Sequence, residues 1–331
     1  MISVIVPAYN EATNIAHCLQ ALSGQTYPRE QFEIIVVNDG STDATPEIAA
    51  GFAGVRVISQ ANQGPAAARN HGVREARGEI VLFTDADCRP RPDWVAQMVQ
   101  PFQENPDIVA VKGAYETGQR NWTSRFVQLE FEDRYDRLRK SAFIDFVDTY
   151  AAAYRRDTFL QAGGFSLDFR LPSAEDAELG FRLANQGYLM VFNPQARVSH
   201  LHPASPLHYL QKKYLFAYWR LFAALKNPNK LLGDSYTPQL MKFQLLLFPL
   251  LVTAVLLAVI TPAATSAALF LSALYLATTL PFLVKSYHRD RPLLPLAPFF
   301  LLLRSAGQFW GVVICLKDNY YLKRYGTKKD S

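Results

Sequence analysis

Gly78-Glu79-Ile80-Val81-Leu82-Phe83-Thr84-Asp85-Ala86-Asp87-Cys88 is an apolar strand core that empties directly into two carboxylates. Ile80 to Phe83 is a continuous apolar run, the pattern of a strand covered on both faces, and such strands deliver ligand-binding residues at their carboxyl ends. Alternate residues of an extended segment point the same way, so Asp85 and Asp87 are placed to hold one hard divalent cation or to divide a metal and a sugar hydroxyl between them. Asp is also a common turn and cap residue. The loops around this pair therefore have to decide its meaning.

Working back from it, Val4-Ile5-Val6, Glu33 to Val37 and Val55 to Ile58 are further short strands. Between them lie helical patterns: one capped by Thr13 or Asn14 that carries Ile15, Cys18, Leu19 and Leu22 and stops at Gly24, one capped by Thr45 with Pro46 in its first turn, and one within Gly64 to Arg77. Strands alternating with helices predict an α/β domain with a largely parallel sheet covered on both faces. Three strand ends then carry polar loops, at Tyr9 to Glu11, at Asp39 to Asp43 and at Asp85 to Asp87, the row that a nucleotide site at the edge of an open sheet needs. No Gly-x-Gly-x-x-Gly follows the first strand and no phosphate-loop Gly-Lys-Ser/Thr occurs, which sets aside dinucleotide and ATP-hydrolysing readings. Asp39 is suited to accept hydrogen bonds from a base, and Arg69 to face a diphosphate.

These phrases resemble family two of the glycosyltransferases, with its GT-A nucleotide-sugar-binding fold. The likeness rests on Ser3-Val4-Ile5-Val6-Pro7-Ala8-Tyr9-Asn10-Glu11, Val37-Asn38-Asp39-Gly40-Ser41-Thr42-Asp43, Ala68-Arg69-Asn70-His71-Gly72, Thr84-Asp85-Ala86-Asp87, and Gly163-Gly164-Phe165 followed by Glu175-Asp176. It implies inverting transfer of a sugar from a nucleoside diphosphate, with a UDP-sugar as the expected donor and Mg²⁺ or Mn²⁺ as cofactor. By that resemblance Pro7, Ala8, Tyr9, Glu11, Asp39 and Arg69 line the nucleotide site, Asp85 contacts ribose or sugar, and Asp87 holds the metal. Asp176 is the expected general base, with Glu175 orienting it or the acceptor, at the start of an amphipathic helix. A histidine completes the metal site in related enzymes, which points to His200 first and His202 second. Two departures matter. Thr149 to Arg156 lacks the Gly-Ala-Asn phrase of many relatives, and Gln211-Lys212-Lys213-Tyr214 breaks the Gln-x-x-Arg-Trp of processive ones, which argues against polymer synthesis through a channel.

The rest of the chain is a membrane pattern. The sequence has 331 residues and a net charge of +5, yet the 42 residues from Phe243 to Val284 carry no charge. Spans are expected at about 243–260 and 264–284, joined by Thr261-Pro262-Ala263, since a crossing helix needs about 20 apolar residues. Residues 293–316 are long enough to span, but Arg304, Gln308 and prolines interrupt them; an interfacial or re-entrant segment is preferred over a third span, returning the basic tail 317–331 to the cytoplasm. Residues 206–242 read as an interfacial amphipathic helix and linker, with Leu210, Tyr214, Tyr218, Leu221 and Leu225 on one face, after a catalytic domain at 1–205. Met1 leads straight into a strand rather than a signal sequence, so that domain is placed in the cytoplasm, at the inner membrane. Three cysteines without paired or ligand-like spacing suit a reducing compartment. The basic charge flanks apolar spans, so anionic lipid headgroups and not nucleic acid are the expected partners.

The function expected is therefore sugar transfer to a hydroxyl of a lipid-linked or glycolipid acceptor. The alternatives are a polyprenyl-phosphate glycosyltransferase, whose anionic acceptor needs no base, and a non-catalytic nucleotide-sugar-binding membrane protein.

Overall fold

The fold is described from a computed structural model covering residues 1–169, 174–230, 233–235 and 237–325, with side chains to residue 319. The elements follow in chain order: β1 (Ile2–Ala8), α1 (Ile15–Ser23), β2 (Phe32–Asn38), α2 (Thr45–Ala50), β3 (Val55–Ser59), α3 (Pro65–Glu75), β4 (Ile80–Phe83), β5 (Arg89–Pro90), α4 (Trp94–Glu104), β6 (Ile108–Glu116), α5 (Trp122–Leu138), β7 (Ala152–Arg155), α6 (Arg156–Gln161), α7 (Glu175–Asn185), β8 (Leu189–Ser199), α8 (Pro206–Lys226), α9 (Gln239–Ile260), α10 (Thr265–Arg289) and α11 (Ala297–Tyr325). The basic tail beyond residue 325 lies outside the described residues. Two compact units result: the first takes Met1–Gly118, Tyr135–Leu201 and the short stretch at Asp234; the second takes Gln119–Arg134, His202–Gly233 and the chain from Thr237 onward.

The first unit is built on one sheet of order β3-β2-β1-β4-β7-β6-β8-β5. It is mixed rather than largely parallel: β3, β2, β1 and β4 run together, but β7 lies antiparallel between β4 and β6, and β5 antiparallel to β8. Helices continue to separate the strands after β4, but β7 enters the sheet between β4 and β6 and runs against both, while β6 and β8 are parallel to each other. In β1, Ile2 through Val6 are buried without alternation, as are Val81, Leu82 and Phe83 of β4, so layers cover both faces. α1 buries Ile15, Cys18, Leu19 and Leu22, the face expected from its spacing. α2 begins at Thr45 with Ala44 in the capping position, so Thr45 is its first residue and not its cap. Asp43 takes over the capping chemistry by accepting from the Thr45 and Ala12 backbone N–H groups.

The second unit is helical. α9, α10 and α11 are each long and apolar enough to cross a membrane. The 22 residues of α9 span about 33 Å at about 1.5 Å per residue, against a hydrocarbon core of about 30 Å. α9 and α10 form a hairpin through Thr261 to Ala264, held by Leu247, Leu251 and Tyr275 and by a hydrogen bond of 2.9 Å from Gln244 Nε2 to Thr278 Oγ1. The segment with two sequence readings is a single helix, α11, unbroken from Ala297 to Tyr325.

α8 and α11 lie backbone to backbone. A Cβ at Gly307 would come within 2.8 Å of the Leu210 carbonyl oxygen, and one at Gly311 within 2.3 Å of the Tyr214 carbonyl oxygen. Gly307-Gln308-Phe309-Trp310-Gly311 is therefore a small-residue seam of the kind that brings apolar helices together. The side α8 buries is Tyr209, Ala217, Arg220, Ala223 and Ala224, one position round from the stripe expected, while Leu215 and Leu225 stay exposed.

Inside this unit Glu130 of α5 accepts from Lys213 at 2.8 Å, Arg304 at 3.0 Å and the Tyr209 hydroxyl at 3.1 Å. Arg304 also donates to Gln244 Oε1 at 2.6 Å, so α5, α8, α9 and α11 share one buried polar network. Burial alone would raise the Glu130 carboxyl, but Lys213, Arg304 and Arg134 outweigh it and hold it down at about 2. The basic collar at the carboxyl end of α10 is spoken for in the same way. Lys285 pairs with Asp133 at 2.7 Å, Arg289 with Glu132 at 3.0 Å, and Asp290 with Arg125. These charges bind α5 as much as they could bind lipid headgroups.

Candidate active site

The register Ile5↔Phe83 and Ala8↔Asn38 brings the carboxyl ends of β1, β2 and β4 side by side. Their three polar loops thus share one edge, as a nucleotide site requires. Asn10 adopts φ 55°, the left-handed region that Asn tolerates, and its side chain accepts from the Thr42 N–H at 2.8 Å, tying the first loop to the second. Pro7 and Ala8 sit below that edge, and the Tyr9 ring is 49% exposed, open to a ligand.

Asp39 is buried and already employed: it accepts from Gln60 Nε2 at 2.8 Å and from the backbone N–H groups of Gln63 at 3.0 Å and Gly64 at 2.8 Å. It positions the loop that opens α3. Arg69 is 3% exposed and donates to Asp85 Oδ1 at 2.7 Å and to Glu175 Oε1 at 2.9 Å. The guanidinium therefore clamps the β4 loop to the first turn of α7, with its charge divided between two carboxylates.

Asp176 follows Glu175 at the start of α7 and is half-buried, with its Oδ1 accepting from the Ala177 N–H at 2.7 Å. Burial, and then the Glu175 charge, push its carboxyl up to about 7, against the opposing pull of Arg69 and Lys112. That is where a general base working at neutral pH should titrate. The Tyr154 hydroxyl, fully buried in the neighbouring β7, has no hydrogen-bond partner among the described residues.

At the other end, the two-residue strand β5 pairs Arg89 with Ser199 and so lays the start of β5 against the end of β8. This brings His200 to Asp87, across 112 residues from Cys88. His200 Nδ1 lies 3.5 Å from Asp87 Oδ2 and 3.8 Å from Cys88 Sγ, and its ring stacks on Tyr115. Among the described residues, Asp87, Cys88 and His200 are the group whose atoms stand at metal-ligand spacing. Burial first, then the charges of Asp87, Asp85 and Asp43, raise the Glu11 carboxyl, although Asn14 opposes them. Such a crowd of acids beside an imidazole fits a divalent cation, which relieves the repulsion. His202 is placed differently: its Nε2 is 2.9 Å from Gln128 Oε1 and its ring stacks on Phe131.

The glycosyl transferase family 2 model matches residues 3–161. Glycosyltransferase AglE of Haloferax volcanii is 33% identical over 220 residues, which are 64% of this chain and 70% of that protein. This chain belongs to glycosyltransferase family 2. A second relative from Haloferax volcanii, glucosyl-dolichyl phosphate glucuronosyltransferase, is 26% identical over 60% of this chain and 68% of its own length. Among solved structures, the mannosyltransferase PcManGT of Pyrobaculum calidifontis, in complex with GDP-Man and Mn²⁺, aligns over 97% of this chain and 87% of that one with a TM-score of 0.60 at 22% identity. The fold is thus the GT-A glycosyltransferase fold with a C-terminal helical region, and the chain is a glycosyltransferase.

Cys88 is the ligand candidate that sequence spacing passed over, because its partner donors are one residue and 112 residues away. The signal was its place directly after Asp-x-Asp.

Proposed function

We propose that this enzyme transfers a sugar, with inversion, from a nucleoside diphosphate to a hydroxyl of a lipid-linked sugar at the cytoplasmic face of the membrane. The observation that carries this reading is the Arg69 clamp. One buried guanidinium joins Glu175, the neighbour of a base poised at about 7, to Asp85, two residues from the cation ligand Asp87. Base and donor ends of a displacement are thereby locked to each other.

Asp176 takes the proton from the acceptor hydroxyl, whose oxygen attacks the anomeric carbon as the bond to the nucleoside diphosphate breaks. Arg69 holds the first turn of α7 in place, and Glu175 keeps the Asp176 proton within reach of neutral pH. Pro7, Ala8, Tyr9, Glu11 and Asp39 line the nucleotide end, with UDP-sugars the first donors to test, and Asp85 faces ribose or sugar. Asp87 and His200 would hold a Mg²⁺ or Mn²⁺, which would supply charge stabilisation to the departing diphosphate. A lipid-linked acceptor is supported by the three apolar helices and by a relative named for a sugar-bearing dolichyl phosphate. An anchor that keeps the site at the bilayer raises the effective concentration of such a substrate.

For the membrane arrangement, α9 and α10 cross as a hairpin and α11 runs along α8 in the interface. The support is their common seam, from Gly307 against Leu210 to the 2.9 Å bond between Tyr218 and Asp318. α8 buries Arg220 and sets the part-buried Lys213 against Glu130, a composition suited to an interface more than to a bilayer core. This leaves the tail in the cytoplasm.

The test is transfer by purified protein to paired acceptors, a polyprenyl phosphate and a polyprenyl-linked sugar. The sugar-bearing acceptor is expected to work, and Asp176→Asn to lose it. If Asp176→Asn leaves transfer intact while Asp87→Asn abolishes it, the acceptor is the phosphate.

A further inference from the structure

A side-chain relay runs from Asp39 at the nucleotide edge to His71 of α3. Asp39 Oδ1 accepts from Gln60 Nε2 at 2.8 Å, and Gln60 Oε1 stands 2.7 Å from His71 Nδ1. Each contact fixes the next. A carboxylate only accepts, so the Gln60 amide turns its NH₂ to Asp39 and its oxygen to His71; that oxygen also only accepts, so His71 carries a proton on Nδ1. Both ends are held by the backbone. The Gln60 N–H donates to the Asn38 carbonyl at 3.0 Å, which carries the β2–β3 ladder one residue further. α3 rests directly on β1 and β2, since a Cβ on Gly72 would meet Ile5 Cγ2 at 2.5 Å and Val37 Cγ2 at 3.1 Å. On the other side of His71, Asn70 is bonded through both ends of its amide to the Phe165 backbone, at 2.8 and 2.9 Å. With Gln63 and Gly64 donating from the backbone, three of the about four lone-pair sites on the buried Asp39 carboxylate are taken, and one is left for a ligand.

We propose that Gln60 and His71 are positioning residues for the donor base: together they aim the remaining lone pair of Asp39 at a base N–H. The inference rests on the reading of Asp39 as the base acceptor and names what gives that acceptor its direction. The terminal torsion of an Asp side chain is soft, and the Gln60 amide takes up that freedom on the Oδ1 side. His71 acts one step further out. Without its N–H the Gln60 amide is free to flip and present Oε1 to Asp39, acceptor against acceptor. Among the described residues, neither side chain bonds to Arg69, Asp85, Asp87 or Asp176. The relay therefore bears on how tightly the donor binds and not on the displacement itself.

The experiment measures what the base contributes to binding. Full-length protein in detergent with Mn²⁺ is titrated calorimetrically with UDP, GDP and dTDP, and with ribose 5-diphosphate, which has the same anion and no base. The wild type should bind its best nucleotide at least about tenfold more tightly than ribose 5-diphosphate, the size expected of a hydrogen bond to a charged group. Gln60→Leu should bring that ratio to within about threefold, and His71→Leu should lower it in the same direction. His71→Asn, whose amide places an N–H where Nδ1–H stood, should keep it. In turnover, Gln60→Leu should raise the donor KM about tenfold and leave kcat within about twofold, the pattern of lost uniform binding. Unchanged binding of ribose 5-diphosphate by every variant marks the effect as base-specific; an equal loss for both kinds of probe makes Gln60 a structural residue and overturns the proposal. So does a Gln60→Leu or His71→Leu protein with the wild-type ratio, or one that loses kcat instead of gaining KM. The two readings fail separately: a wild type that binds all four probes alike removes Asp39 as base acceptor and the relay with it, whereas a base-dependent ratio that survives Gln60→Leu removes the relay alone.

Discussion

Replacing Asp176 by Asn should cost activity and add stability, and both effects follow from one cause. The carboxyl is held up to about 7, mostly by burial and secondarily by Glu175. In the wild type the transfer rate should rise about tenfold per pH unit below 7 and level off above it, as the base loses its proton. Asn cannot accept that proton, so the rate should fall by about 10²–10⁴-fold, equivalent to about 3–5 kcal/mol in the barrier, and the pH step should vanish. The stability effect has the opposite sign. An unfolded chain loses this proton near 3.8, whereas the folded one keeps it to about 7, so wild-type stability falls as pH climbs through that window. At about 1.36 kcal/mol per pKa unit the fall is at most about 4 kcal/mol, an upper limit because the half-buried group retains some water. Asn escapes it. Thermal unfolding in detergent should therefore show Asp176→Asn matching the wild type near pH 4 and exceeding it at pH 8. A variant that keeps the wild-type rate and pH step, or one that is destabilised at pH 8 relative to pH 4, would refute the assignment.

Other expectations concern how the parts are held. Arg69→Met removes the cation that the buried Glu175 shares with Asp85 and should destabilise the protein by about 3–5 kcal/mol, visible as a lower unfolding midpoint; a change within about 0.5 kcal/mol would show that the clamp holds nothing. Gly311→Leu drives a side chain into the Tyr214 carbonyl, 2.3 Å from the Cβ position, and overpacking of this kind costs about 1–3 kcal/mol. Its readout is earlier melting in micelles, with Gly118→Leu, where a Cβ meets nothing within 4 Å, as the control. A reporter fused after Ser331 should register on the cytoplasmic side; an exterior signal would make α11 a full crossing.

Much of this architecture was legible in order of appearance. Strands with apolar cores and polar loops at their ends announced the sheet edge, and Ile80 to Phe83 is a strand with the bounds its pattern suggested. The mixed sheet was not legible, because nothing in Ala152 to Arg155 says which way that short strand runs; direction is set by its pairing with β4 and β6. Motif phrases singled out Arg69, Asp85 and Glu175 but not that they meet, since a salt-bridged clamp over 106 residues leaves no local periodicity. In sequence Asp39 suits a base acceptor, and the structure adds that it organises the Gln60 to Gly64 loop. Arg304, Gln308 and the neighbouring prolines look like interruptions of a span in a linear reading. In three dimensions Arg304 is neutralised by Glu130 from a helix 174 residues earlier, so the charge marks a helix contact and not a break.

The destination of the sugar is the most direct test of the proposed transfer. Membranes containing the wild-type protein, given a panel of labelled nucleoside-diphosphate sugars with Mg²⁺ or Mn²⁺, should move label from one donor into an organic-extractable lipid that already carries a sugar, with the new linkage opposite in anomeric configuration to the donor. Label that appears only as free sugar, only in a water-soluble polymer, or directly on a polyprenyl phosphate would contradict it.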